Sequence, residues 1–362
     1  MLNTIKLRNI YLAYQPVLLL VKLNKQLNVI LSSPAVNRFA ELSTNSFSDL
    51  DGKRIILVRR GEDLEPIKGW RTAGEPAEIH PIQSKGRRRN VAAIDSSVIE
   101  VAETDDGAVY AAKASLAFNI GGVKNSVVVG PSIIYVGDDS VQTLLGLLEK
   151  PVPRRLVMSD SGMAMRLIRV LMERTLAHEI STSLEQGLLL LDGSLKPSLF
   201  EPRGSSLRAL VEGYDGELGV LAGIAKSTKL KVLQGIESQL FEDGVPPSYV
   251  EVTQHVRLFV ADLLGRSFLS KLSQGGIPFR VDITRREDPD VVLSTVAESD
   301  LLVRGYPETL RAAHFLSIFS DAEEAAVKGQ LARRARITVL PSDSLRKTVL
   351  GPLSLSRRRG AS

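Results

Sequence analysis

Three acidic residues lie where side chains of their type can share a cation. Asp95 follows Val91-Ala92-Ala93-Ile94, a short run of small apolar residues, and Asp192 follows Leu188-Leu189-Leu190-Leu191. Each run reads as a buried strand, and a carboxylate just past such a strand emerges at a sheet edge, where ligands of open sheets gather. Glu173 lies between them in a stretch with helical spacing. Two such aspartates and a glutamate from a covering helix can converge on one point. Their ionised oxygens would repel one another there unless a cation joined them, and an all-oxygen set suits hard divalent ions such as Mg²⁺ or Mn²⁺. One or two such ions can make a hydroxide nucleophile and stabilise the leaving oxygen of a phosphodiester. Singly, each acid has an ordinary explanation: Asp192-Gly193 as a turn, Asp95-Ser96 as a loop cap, Glu173 as a solvated helix charge. The joint pattern favours one site. Glu179, on the same helical stretch, is the alternative to Glu173, which leaves more chain to finish the helix and return along the second strand.

A second group is Arg304-Gly305-Tyr306-Pro307-Glu308, followed by His314. Pro307 suits a first helical position, which puts Tyr306 at the N-cap and His314 two turns into the helix. A neutral imidazole there can bind Mn²⁺ or position a water, and its cation can hold phosphate. A lone His on such a face is also an ordinary core residue. Tyr306 can hydrogen-bond a phosphate or stack on a base. Lys226, just past the apolar run Gly219–Ala225, could contact the scissile phosphate or its neighbour, although a strand-end Lys is often simply solvated. Lys85-Gly86-Arg87-Arg88-Arg89 is a compact basic run directly before the first acid-bearing strand. It reads either as a solvated loop or as a phosphate contact. His80, His178 and His255 have no comparable context.

The elements that must position these groups are legible in outline. Residues 1–50 read as helical, and residues 51–85 as an irregular connector containing the strand-like Arg54–Arg60. From residue 90, Val91–Ile94, Gly107–Phe118 and Ser126–Val136 predict an antiparallel meander, with turns at Asp105-Asp106-Gly107 and Gly121-Gly122. Met163–Leu184 predicts a long helix with Met165, Ile168, Leu171, Leu176 and Ile180 on one stripe and Asp160 near its N-cap. Strands are expected at Leu188–Leu191, Gly219–Ala225, Leu258–Leu264, Pro278–Ile283 and Ile337–Leu340. Helices are expected from Pro307 to about Phe319 and over 322–336. This order fits an α/β fold with an RNase H-like core: a mixed sheet with flanking helices, elaborated at both termini. The pattern divides the chain into an N-terminal extension over 1–85, the core over 86–330 and a C-terminal extension over 331–362.

Composition narrows the chemistry. The chain has 362 residues, no Cys, and 46 Lys plus Arg against 41 Asp plus Glu, a formal charge of +5. Without Cys there are no disulfides, thiolate nucleophiles or Cys-based zinc and iron–sulfur sites. The positive balance permits a polyanionic partner. The apolar run at Val17–Val21 is far shorter than the roughly 20 residues that span a bilayer, so a cytoplasmic protein with no membrane partner is expected.

Read in order, Val91–Ser97, Leu188–Leu195, Ala225-Lys226-Ser227 and Arg304–Pro307 with His314 resemble the NurA family of nucleases. The resemblance covers roughly residues 90–320 and includes the eight-residue step from Tyr306 to His314. It implies an RNase H-like fold, Mn²⁺-dependent cleavage of DNA (5′ to 3′ from ends, and within single strands), a homodimer, and partnership with the HerA hexameric helicase in DNA end resection and double-strand break repair. It also implies that Asp95, Glu173 and Asp192 bind metal, with Tyr306 and His314 as distal active-site partners. Many members carry Asp-Gly where this chain has Asp95-Ser96, a change that preserves the carboxylate. Two other readings belong to different classes. An actin-like phosphotransferase would share the topology, but paired Gly-rich phosphate hairpins and an adenosine-binding segment are missing from the sequence. A catalytically silent adaptor of a motor ATPase would leave Tyr306 and His314 without a role.

Overall fold

A computed structural model of the chain describes residues 34–52, 54–57, 77–184, 186–215, 219–225, 230–333 and 337–340. The Val17–Val21 run, Lys226-Ser227 and most of the 51–85 connector and the C-terminal extension lie outside these residues. The strands are β1 (Arg54–Leu57), β2 (His80–Pro81), β3 (Val91–Glu103), β4 (Gly107–Ile120), β5 (Val123–Gly137), β6 (Gly187–Asp192) and β7 (Gly219–Ala225). They continue as β8 (Ser248–Glu251), β9 (Arg266–Lys271), β10 (Phe279–Ile283), β11 (Leu302–Val303), β12 (Tyr306–Pro307) and β13 (Thr338–Leu340). Helices of eight or more residues are α1 (Pro34–Asp49), α2 (Ser161–Ser183), α3 (Leu207–Tyr214), α4 (Gln234–Asp243), α5 (Pro289–Ser299), α6 (Glu308–Ser317) and α7 (Asp321–Ala332).

The meander β3-β4-β5 is antiparallel throughout, and β6 then pairs parallel to β3 and β7 parallel to β6. The spatial order β5-β4-β3-β6-β7 is the RNase H-like arrangement, reached here from strand pairing alone. β10, β9, β8 and β2 extend the sheet antiparallel beyond β7. β1 pairs with β13 and with the far end of β3. The molecule is therefore α/β, with one mixed 11-stranded sheet and helices against both faces.

Alternation along β3 and β6 assigns the faces. Ala92, Ile94, Leu189 and Leu191 pack with Ile168, Leu171 and Met172 of α2. Val91, Ala93, Leu188 and Leu190 pack on the other side with Val292 and Val296 of α5 and Leu310 and Ala313 of α6. Both strands are covered on both faces, which is why they read as near-continuous apolar runs rather than as alternating ones. Helix α2 matches its expected span, with the Asp160 side chain accepting from Gly162 N–H at 2.8 Å.

Two expectations fail. The apolar stretch expected as a strand at Leu258–Leu264 is a turn, with Leu258 and Phe259 exposed, and the strand is the following Arg266–Lys271. That strand looks polar because Ser267 and Ser270 face into the fold, Ser267 against the buried Asp282. Asp95 is also not at a strand end. β3 runs on to Glu103 because its partner β4 keeps pairing with it past Asp95.

Candidate metal centre

Asp95 owes its situation to where a neighbouring strand stops. The last β3–β6 pair is Ile94–Leu191, so Asp95 is the first β3 residue without a β6 partner while its other side remains paired to Ser115 of β4. β6 ends at Asp192, and Gly193 turns the chain away at φ 111°, a conformation that a residue with a Cβ rarely adopts. Asp95 and Asp192 lie on the sheet face that carries α6, by the alternation that buries Val91, Ala93, Leu188 and Leu190 there.

Helix α6 brings His314 to the same gap. Its Nδ1 lies 2.7 Å from Asp95 Oδ2 and 3.8 Å from Asp192 Oδ2. Ser317, one turn on, donates from its hydroxyl to Asp95 Oδ2 at 3.2 Å. The 2.7 Å contact is a hydrogen bond when Nδ1 carries a proton, and without that proton the same nitrogen is a ligand for a cation. Ser115 donates its hydroxyl to the Ala313 carbonyl, and the buried Lys113 ammonium holds the Ile318 carbonyl at 2.8 Å. Both β4 side chains thereby pin α6 against the strand that carries Asp95.

Glu173 approaches from the opposite face of the sheet. Ser96 points towards α2 as Asp95 points away from it, and its hydroxyl donates to Glu173 Oε1 at 2.7 Å. Arg169 Nε stands 3.6 Å from the same oxygen. Burial pushes the Glu173 carboxyl above the usual carboxylate range, against the opposing pull of Arg169, Arg174 and the Ser96 bond. Glu179 lies further along α2, its carbonyl accepting from Thr182 and Ser183.

Tyr306 arrives on a hairpin. The Arg304-Gly305 turn has φ 52° and 86°, as a tight two-residue connection between β11 and β12 requires. Pro307 is the helix N-cap and Tyr306 precedes it, one position from the expectation. The Tyr306 ring is 7 % exposed and packs edge-on against Phe279 at 5.0 Å, which removes base stacking from its repertoire. Burial raises its phenol above the ordinary tyrosine range, and the charges of Asp192 and Asp95 raise it further.

The structure therefore brings Asp95, Asp192 and His314 together, with one potential ligand atom from each within 4.8 Å of the others. Glu173 is linked to this trio through Ser96, and Tyr306, packed on Phe279, is close enough for the charges of Asp192 and Asp95 to act on its phenol. Lys226 lies outside the described residues. The basic run is at the other end of the strands, where Arg87, Arg88 and Arg89 line a cleft with Asn90 and Gln186. Lys85 is occupied by Asp288 and Asp290. One supporting residue escaped the sequence reading. Asp282 is fully buried, accepts from Leu195 N–H at 3.0 Å and from Ser267 at 2.6 Å, and pairs with Arg280 at 3.2 Å. It anchors the loop that leaves Asp192, and its one visible signal was a charged residue inside an apolar strand.

The two carboxylates repel each other unless a positive charge lies between them, and the set of two carboxylates and an imidazole fits a divalent cation. The sequence matches no family model and no curated protein. Among solved structures, the chain is similar to the NurA nuclease from Sulfolobus solfataricus, with 16 % identity over 70 % of this chain and 86 % of that one and a TM-score of 0.47. A second NurA structure gives 12 % identity over 70 % and 90 % of the two chains and a TM-score of 0.43. Endonuclease V from Streptomyces avermitilis gives 17 % identity over 69 % and 87 %, with a TM-score of 0.32.

Proposed function

We propose that this protein is a metal-dependent DNA nuclease of the kind its motifs resemble, using Mn²⁺ with Mg²⁺ as a substitute. The observation that carries the reading is the convergence of Asp95, Asp192 and His314 at the point where β6 ends. A divalent ion bound there supplies charge to stabilise the phosphorane-like transition state and lowers the pKa of water. Asp95, Asp192 and His314 hold the ion. The imidazole in a mainly carboxylate set suits Mn²⁺ better than Mg²⁺.

Glu173 completes the acidic set through Ser96 and orients water on the α2 side. Tyr306 directs its hydroxyl at a phosphate oxygen, and Lys226 contacts the scissile phosphate or its neighbour. Hydrolysis proceeds 5′ to 3′ from DNA ends and within single strands. The core over 86–330 carries the chemistry. The flanking segments over 1–85 and 331–362 serve a homodimer that works in the cytoplasm with a HerA-type hexameric helicase, in end resection and double-strand break repair. Incubating the full chain with end-labelled DNA in Mn²⁺, Mg²⁺ or chelator tests the reading. Cleavage is expected in Mn²⁺, less in Mg²⁺ and none in chelator. Intact DNA in both metals, or undiminished cleavage by Asp192→Asn, overturns it.

A further inference from the structure

Phe315 is 61 % exposed, although it directly follows His314. Helix α6 buries Thr309, Leu310, Ala313 and Ser317, while Arg311, Phe315 and Ile318, spaced i, i+4 and i+7, form a stripe on its outer side. His314 adjoins this stripe, three residues after Arg311 and four before Ile318, so the stripe borders the metal centre. The His314 and Phe315 ring centres are 6.1 Å apart, and the Arg311 guanidinium lies 5.2 Å from the centre of the Phe315 ring. Arg311 is itself steadied by Glu308 at 3.2 Å. Single exposed aromatics are common, and what distinguishes Phe315 is that it adjoins His314 and already has a cation stacked on its face.

We infer that Phe315, supported by Arg311, is a stacking platform for an unpaired nucleobase next to the phosphate held at the metal centre. The inference rests on the nuclease reading and adds a subsite to it. Every base presents a π-face, so stacking on Phe315 accepts any sequence, while Arg311 contributes cation–π attraction and a positive charge beside the adjoining phosphate. Bases in a duplex are already stacked on one another, so the platform favours single-stranded DNA or a frayed end.

Phe315→Trp places a fluorophore at the platform, and because the chain has a single tryptophan the unsubstituted protein is a simple control. In an Asp192→Asn background without added metal, an intact single-stranded oligonucleotide should quench the new fluorescence. An abasic oligomer of equal length, with the same phosphates, should not. Phe315→Ala should weaken single-strand affinity about tenfold and raise KM with kcat retained, and Phe315→Tyr should restore both. Equal affinity in wild type and Phe315→Ala, or equal quenching by the abasic oligomer, overturns the platform and leaves the nuclease reading standing if wild type cleaves. Failure of wild type to cleave overturns that reading instead, and the quenching experiment still decides the platform.

Discussion

Asp95 carries more of the site than any other residue. One of its oxygens meets His314 and Ser317, and the other accepts from the Ser96 backbone at 2.8 Å, so its rotamer is held before any ion arrives. Asp95→Asn keeps the shape and removes the charge. Cleavage should fall by at least a hundredfold while the circular dichroism spectrum stays unchanged, and a smaller loss would move the chemistry elsewhere. Asp282 makes the opposite case. It is remote from substrate, yet it satisfies a backbone N–H, a buried hydroxyl and a guanidinium. Asp282→Ala leaves Arg280 buried without its partner and should cost about 3–5 kcal/mol in a denaturant titration, with activity per folded molecule reduced through the displaced Asp192 loop.

Among the elements, α6 is the one whose placement decides whether the site exists, since it supplies His314 and Ser317 to strands that arrive from elsewhere. Its C-terminal end is held by Lys113 of β4, which also pairs with Glu323 of α7 at 2.7 Å. Lys113→Met leaves the Ile318 carbonyl without that donor and should lower stability by about 1–3 kcal/mol. The same contact gives an acid dependence. Lys113 and the Ser320 cap hold the Glu323 carboxyl down at about 2, below its ordinary 4.5. A depressed folded-state pKa stabilises fully above pH 4.5, and that stabilisation is lost as pH falls towards 2. Glu323 is 39 % exposed, so solvent screening keeps the contribution small. Thermal melts between pH 5 and 2.5 should show a shallower loss of Tm in Glu323→Gln than in wild type.

For the molecule as a whole, the site lies where β6 stops while β3 continues. Asp95 and His314 belong to the α6 side of the sheet, and Glu173, bonded to Ser96, belongs to the α2 side. An ion held by Asp95, Asp192 and His314 would tie β3, β6 and α6 together and stabilise the folded state by mass action. Mn²⁺ at a hundred times its Kd should add about 2.7 kcal/mol, seen as a rise of several degrees in Tm. The rise should vanish in chelator and in Asp192→Asn. An equal rise in Asp192→Asn would place the ion at another site. No helix among the described residues is long and apolar enough to cross a membrane.

The amino-acid sequence by itself determined the doubly covered strands, the long helix α2 and the positions of Asp95 and Asp192, because burial on both faces leaves unbroken apolar runs and an acid after such a run stands out. It also located Tyr306 and His314 by their turn and helix-start residues. Helix α5 was announced by Asp288-Pro289, whose cap accepts from Asp290 N–H at 2.9 Å, yet its mixed small and apolar residues lack a clear stripe. Strand β9 was concealed by two buried serines, Ser267 and Ser270, and the partner of Ser267, Asp282, is fifteen residues away in sequence. Only the tertiary structure decided that β3 outruns β6, that His314 rather than Glu173 is the third member of the tight cluster, and that the arginine run lies at the far end of the strands. Each of these depends on where a neighbouring strand ends or which face a helix covers, and periodicity within one segment contains no information about its neighbour's length.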